Sequence, residues 1–112
     1  MRFVEVLDTT LRDGEQAEGI SLGPAEKLTI ASRLLKDVKV DRIEVASART
    51  SEGERVAVEE IIRWAETEDF TDRIEILGFV DSKASIDWAR SVGVQVINLL
   101  TKGSLLHCQE QL

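Results

Sequence analysis

Apolar residues along this chain follow two alternating patterns. Four short runs rich in β-branched residues, Phe3–Leu7, Arg42–Ala46, Arg73–Val80 and Val94–Leu100, read as strands. Between them lie three stretches in which apolar residues return every three or four positions, the period of a helix with one buried face. The first helix is predicted to open at Pro24, a residue suited to the first helical position, with Leu28, Ala31, Leu34, Leu35 and Val38 along one side. The second opens at "SEGE", where Ser51 and Glu54 have the spacing of a capping box, and continues through Val58, Ile61, Ile62 and Ala65. The third spans Ser82 to Val92, with Gly93 placed to cap its C-terminus. Strand–helix alternation of this kind predicts βαβ units and a parallel sheet, an α/β fold.

A faint internal repeat sharpens the fold. "DRIEV" at Asp41–Val45 returns as "DRIEI" at Asp72–Ile76, and "VEV" at Val4–Val6 resembles both. A strand–helix unit is therefore reiterated. Alternation sends the apolar neighbours of each glutamate to one face of the sheet and the glutamate to the other. In an open doubly wound sheet both faces are covered by helices, where glutamates would be costly. Inside a barrel an inward glutamate can meet an arginine, a metal or water. The expected fold is thus the N-terminal half of a (β/α)8 TIM barrel, since four parallel strands and three helices are half of a fold that takes about 250 residues. Residues 1–112 then read as a partial barrel domain, truncated after the fourth strand. Leu99, Leu100, Leu105 and Leu106 are left to be covered, either by the rest of a longer protein or by a second copy.

Composition narrows the class. The 112 residues suffice for one core and not for two. A net charge of −7 argues against nucleic acid or an anionic membrane as a partner. No apolar run approaches the roughly 20 residues of a membrane span, and the N-terminus lacks a signal-peptide core. Cys108 is the only cysteine and cannot form an internal disulfide, which fits a reducing cytoplasm. His107 is the only histidine, so metal or acid–base chemistry here cannot use a pair of them.

Barrel enzymes take their catalytic groups from the C-terminal strand ends and the loops that follow. "TTLRDGEQ" lies there, after the first strand. Arg12 offers a rigid fork of donors suited to a carboxylate or a developing enolate oxygen. Asp13 is a hard oxygen donor of the kind that binds Mg²⁺, Mn²⁺ or Zn²⁺, and Gln16 could orient a neighbour. The residues alone leave a second reading open, in which Arg12 and Asp13 pair with each other or with solvent. Glu44 reads equally as a buried glutamate paired with any nearby cation, and Glu5 and Glu75 as polar filling of the lower barrel. Leu77, Phe79 and Leu100 read as ordinary barrel packing.

The segment "LDTTLRDGEQ", Leu7–Gln16, resembles the first-strand signature of the DRE-TIM metallolyase (HMGL-like) family, which includes acetyl-CoA-condensing synthases, lyases and carboxyltransferases. "DRIEVASAR", "RIEILGFVD" and "VINLLTKGSL" resemble its second, third and fourth strands, most closely those of citramalate and 2-isopropylmalate synthases. The resemblance implies that Asp13 ligates a catalytic divalent metal (Mg, Mn or Zn), and that Arg12 binds a 2-oxo acid and stabilises negative charge on its oxygen. Glu44 would complete the Asp-Arg-Glu set by holding Arg12, and Gln16 would lie near the metal and substrate. In the family two further ligands form a His-x-His pair on a later strand. His107 has no histidine two residues away and is not expected to be a ligand.

By the same resemblance Leu77, Phe79 and Leu100 line the pocket for the 2-oxo acid side chain. Three bulky apolar groups leave room for a methyl and crowd an isopropyl group, favouring pyruvate over 2-oxoisovalerate by the small margin one methylene allows, about 1–3 kcal/mol. The implied function is the N-terminal part of an acyltransferase that condenses acetyl-CoA with pyruvate to give citramalate, in branched-chain amino-acid biosynthesis. Leucine and isoleucine are the products in view. The implied partners are acetyl-CoA, the 2-oxo acid, the remainder of the barrel or a second chain, and a homodimer of the full-length cytoplasmic protein. These 112 residues alone are expected to be inactive. The alternatives are a 2-isopropylmalate synthase, a lyase or carboxyltransferase on the same core, and a non-catalytic half-barrel assembly module.

Overall fold

In the computed structural model, which describes residues 4–14, 22–81 and 83–100, the strands are β1 Leu7–Asp8, β2 Arg42–Ser47, β3 Ile74–Phe79 and β4 Val96–Leu100. All pair in parallel and lie side by side in chain order. Helices α1 Pro24–Arg33, α2 Glu52–Glu68 and α3 Ala84–Val92 alternate with them. An open doubly wound sheet reverses its strand order at a switch point. This sheet runs 1-2-3-4 without reversal, which is the arrangement of the N-terminal half of a (β/α)8 barrel.

Local chemistry accounts for the helix boundaries. The Ser51 hydroxyl accepts the N–H of Glu54 at 3.3 Å, satisfying one of the free donors of the first turn of α2. That helix stops where Asp69 turns left-handed. In α3 the stop is Gly93 at φ 89°, a conformation that costs other residues steric strain. Its first helical residue is Ala84, and Ser82 lies outside the described residues. Helix α1 departs from expectation at its end. It widens into a π-helical turn over Leu34–Val38 before Lys39 adopts a left-handed backbone. The extra residue in that turn rotates Val38 away from the core, and it is 65% exposed rather than on the buried face. Buried Lys27 of α1 donates to Glu54 of α2 and ties the two helices together near their first turns.

The sheet's two faces differ sharply. Ile43, Val45, Ile74 and Ile76 point toward the helices and join Ala31, Leu35, Val58, Ile61, Ile62, Ala65 and Ala89 in the apolar core. Gly78 keeps that layer thin at β3, because a Cβ there would sit 2.7 Å from the Ile97 methyl. The opposite face, the barrel interior, carries Arg42, Glu44, Glu75, Leu77 and Asn98. A register shift between Glu44 and Ala46 marks a β-bulge in β2. Strand β1 is shorter than the pattern predicts, since residues 4–6 lie outside the ladder. Its start is fixed instead by Asp41, whose carboxylate accepts the Val6 N–H at 2.7 Å, while the Val6 carbonyl accepts from Asp41 and Arg42. At the other edge Leu99 and Leu100 are exposed, as the pattern predicts; Leu105 and Leu106 lie outside the described residues. No helix among the described residues is long and apolar enough to cross a membrane.

Candidate functional site

The chain leaves β1 through a tight turn. The Thr9 carbonyl accepts from the N–H groups of Arg12 (3.1 Å), Asp13 (2.7 Å) and Gly14 (3.3 Å), and the Asp8 carboxylate accepts from Thr10 N–H at 2.8 Å. Leu11 is buried and pins the turn to the core. With Leu11 anchored, its neighbour Arg12 is directed over the inner face of the sheet, while the Asp13 side chain remains 63% exposed.

Arg12 meets Glu44, the middle of the β2 strand, with Nε donating to Glu44 Oε1 at 2.6 Å. The Glu44 side chain is only 3% exposed, so an unpaired charge there would be strongly destabilising. Its other oxygen is also satisfied, since Asn98 Nδ2 donates to Glu44 Oε2 at 2.8 Å. Asn98 was not among the residues expected from the sequence. Its signal is slight: one amide in the otherwise apolar run "VINLL". The Asp13 carboxylate lies 3.7 Å from the Arg12 guanidinium, a looser contact than the Arg12–Glu44 pair. Arg12 therefore pairs more closely with Glu44 than with Asp13, whose own side chain faces solvent.

The three pocket candidates share this face. Phe79 stands opposite Leu100 in the β3–β4 register, and Leu77 stands opposite Asn98. Because Asn98 reaches inward to Glu44, Leu100 two residues on also faces inward, an orientation that the apolar pattern alone left open. Gln16, His107 and Cys108 lie outside the described residues.

A second polar group lies where the chain leaves β2 and β3. The Ser85 backbone N–H and hydroxyl donate to the two Asp81 oxygens at 3.0 and 2.8 Å, and the same hydroxyl accepts the Phe79 N–H. Arg49, on the loop after β2, donates to Asp81 at 3.2 Å. The Ser85 hydrogen bonds, with the nearby Arg49 charge, hold the Asp81 carboxyl below the usual aspartate range. This network ties the second and third strand-end loops together. None of the three was expected from the sequence, where Arg49 and Asp81 look like ordinary loop polarity and Ser85 like a polar residue in the first turn of a helix.

At the opposite end of the inner face, Arg42 lies between Glu75 (2.8 Å) and Glu5 (3.1 Å). This agrees with the expectation that these glutamates belong to the lower barrel.

For a divalent cation, Asp13 is the fitting donor: an exposed hard carboxylate held on a hydrogen-bonded turn, whose contact with Arg12 is a loose 3.7 Å. It offers a single ligand. Among the described residues no three His, Cys, Asp or Glu side chains gather into a metal-binding cluster.

Comparison of the sequence with known proteins identifies a family. A family model described as HMGL-like matches residues 3–112. The chain is 41% identical over 110 residues to a 2-isopropylmalate synthase of Saccharolobus solfataricus, an alignment covering 97% of the chain and 27% of that protein. It is 39% identical over 111 residues to an (R)-citramalate synthase of Methanocaldococcus jannaschii, covering 98% of the chain and 21% of that protein. A 2-isopropylmalate synthase of Sulfurisphaera tokodaii is 37% identical, with coverages of 97% and 27%. The chain thus spans about a quarter or less of the length of the curated relatives it matches.

Proposed function

The chain belongs to the HMGL-like family, and from that premise we propose that it forms the N-terminal part of a divalent-metal-dependent acyltransferase condensing acetyl-CoA with a 2-oxo acid. The observation that carries the reading is the Arg12–Glu44 pair beside the exposed Asp13 at the C-terminal end of the strands. Glu44 holds the guanidinium through Nε, which leaves its outer nitrogens to bind the carboxylate of a 2-oxo acid in the forked geometry arginine prefers. The same positive charge stabilises the alkoxide that develops when the keto carbon is attacked. Asp13 would contribute one ligand to the cation. When bound, the cation supplies Lewis acidity toward the substrate oxygens. The enolate of acetyl-CoA is the nucleophile, and the base that forms it lies outside these residues in this reading.

Pyruvate is the favoured 2-oxo acid, and citramalate the product. Support comes from the common facing of Leu77, Phe79 and Leu100, whose bulk suits a methyl group. The likeness to 2-isopropylmalate synthases keeps 2-oxoisovalerate as the second reading. In either case residues 1–112 are a partial barrel completed by further chain, and the working protein is a cytoplasmic homodimer serving branched-chain amino-acid synthesis. The test is product formation by the full-length protein from acetyl-CoA with each 2-oxo acid, before and after EDTA. Metal-dependent citramalate formation is expected. Turnover of neither acid would overturn the reading, and a preference for 2-oxoisovalerate would overturn its substrate.

A further inference from the structure

Glu44 and Asn98 sit on β2 and β4 with β3 between them. Neighbouring strands are about 4.8 Å apart, so the two backbones are separated by nearly twice that distance. They meet at 2.8 Å because both side chains lean over β3, between the register levels of Glu75 and Leu77. A carboxylate can only accept, so the Asn98 amide must present its NH₂ end. Each Glu44 oxygen then accepts from a donor, and the two bonds together orient the carboxylate toward Arg12.

We infer that Asn98 is a positioning residue of the candidate site, acting on Arg12 through Glu44; this rests on the reading of Arg12 as the group that binds the 2-oxo acid. Asn98 also connects two parts of the site. It is adjacent in register to Leu77 and two residues before Leu100, so the pocket wall and the arginine clamp share one hydrogen-bonded element. Displacing β4 by the width of a larger pocket side chain would move the donor that holds Glu44.

The test compares Asn98→Ala, Asn98→Asp and the pair Asn98→Asp with Glu44→Gln, all in the full-length protein. A space-filling role predicts that isosteric Asp is tolerated better than Ala. A donor role predicts the reverse, because Asp sets two carboxylates against each other. It also predicts rescue by Glu44→Gln, whose amide can donate to the new carboxylate while its oxygen still accepts from Arg12. The expected order of unfolding temperature is wild type, then Asn98→Ala, then Asn98→Asp, with the paired variant regaining at least half of the Asn98→Asp loss. In kinetics, Asn98→Ala should lower kcat/KM for the 2-oxo acid about 10- to 100-fold, the range for loss of a supporting hydrogen bond. The KM for acetyl-CoA should not move. Asn98→Asp matching wild type, or failing to recover or fold when paired with Glu44→Gln, would overturn the inference. No condensation by the wild-type protein, with the stability order intact, would overturn the proposed reaction and leave the Asn98–Glu44 coupling supported.

Discussion

Glu44 and Glu75 arise from the same repeated motif, stand opposite each other in the β2–β3 register, and are both almost wholly buried. Their surroundings nevertheless differ. Glu44 reaches toward the C-terminal strand ends and accepts directed hydrogen bonds on both oxygens, from Arg12 and Asn98. Glu75 turns toward the N-terminal end and lies 2.8 Å from Arg42 Nε, in a contact that is close in charge but lacks hydrogen-bond alignment. One carboxylate is held in a single orientation and the other only neutralised. A repeat thus delivered two equivalent glutamates, and the loop after β1 made them unequal by supplying Arg12 to one of them.

The largest effects should come from removing the arginines. Arg12→Ala leaves one oxygen of Glu44 without its cation, and Arg42→Ala does the same to Glu75. Each is expected to cost about 3–5 kcal/mol in urea unfolding, as for a broken buried pair. Only Arg12→Ala should also abolish condensation at a temperature where both variants remain folded.

Next in size is Gly78→Ala on β3, the strand beneath both networks. Its Cβ would meet the Ile97 methyl at 2.7 Å, and the forced shift should cost about 1–3 kcal/mol. Because β3 carries both glutamate environments, this loss should come without the selective kinetic defect of Arg12→Ala. A defect as large as that one would mean the two networks are not separable.

Acid titration separates the loop network from both. The folded-state pKa of Asp81 is depressed below the ordinary 3.8, so its contribution is fully present above that value. It is lost as pH falls through the lower, folded-state value. Asp81→Asn should therefore narrow the stability difference between neutral and strongly acidic pH. An unchanged pH dependence in that variant would remove Asp81 from the account. Smallest of all is Glu5→Gln. Its carboxylate is 63% exposed and its Arg42 partner 40% exposed, so solvent screens the pair and the change should stay within about 0.5 kcal/mol.

The chain's legibility follows from how local each signal is. The period of the apolar residues and the caps at Pro24, Ser51 and Gly93 act within a few positions, so the α/β order and the half-barrel could be read directly. The strand-end turn carrying Arg12 and Asp13 was equally local. Val38 was misplaced because a π-helical turn leaves no mark in a 3.6-residue period. Asn98 was missed because its role depends on β2 and β4 flanking β3 and on a residue 54 positions away, neither of which shows in one strand. The same holds for the Arg49–Asp81–Ser85 tie, made by two loops that meet only after the strands have paired. The different fates of Glu44 and Glu75, which share the motif Asp-Arg-Ile-Glu, required the fold.

The proposed division of labour is that the upper glutamate serves the reaction and the lower one serves the scaffold. Its most direct test is the turnover of acetyl-CoA and pyruvate by full-length Glu44→Gln and Glu75→Gln variants, measured where both are folded. The account predicts a loss of about 100-fold for Glu44→Gln, the upper range for a residue that orients a reacting group, and near wild-type turnover for Glu75→Gln. Equal losses in the two variants, or the larger loss in Glu75→Gln, would contradict it.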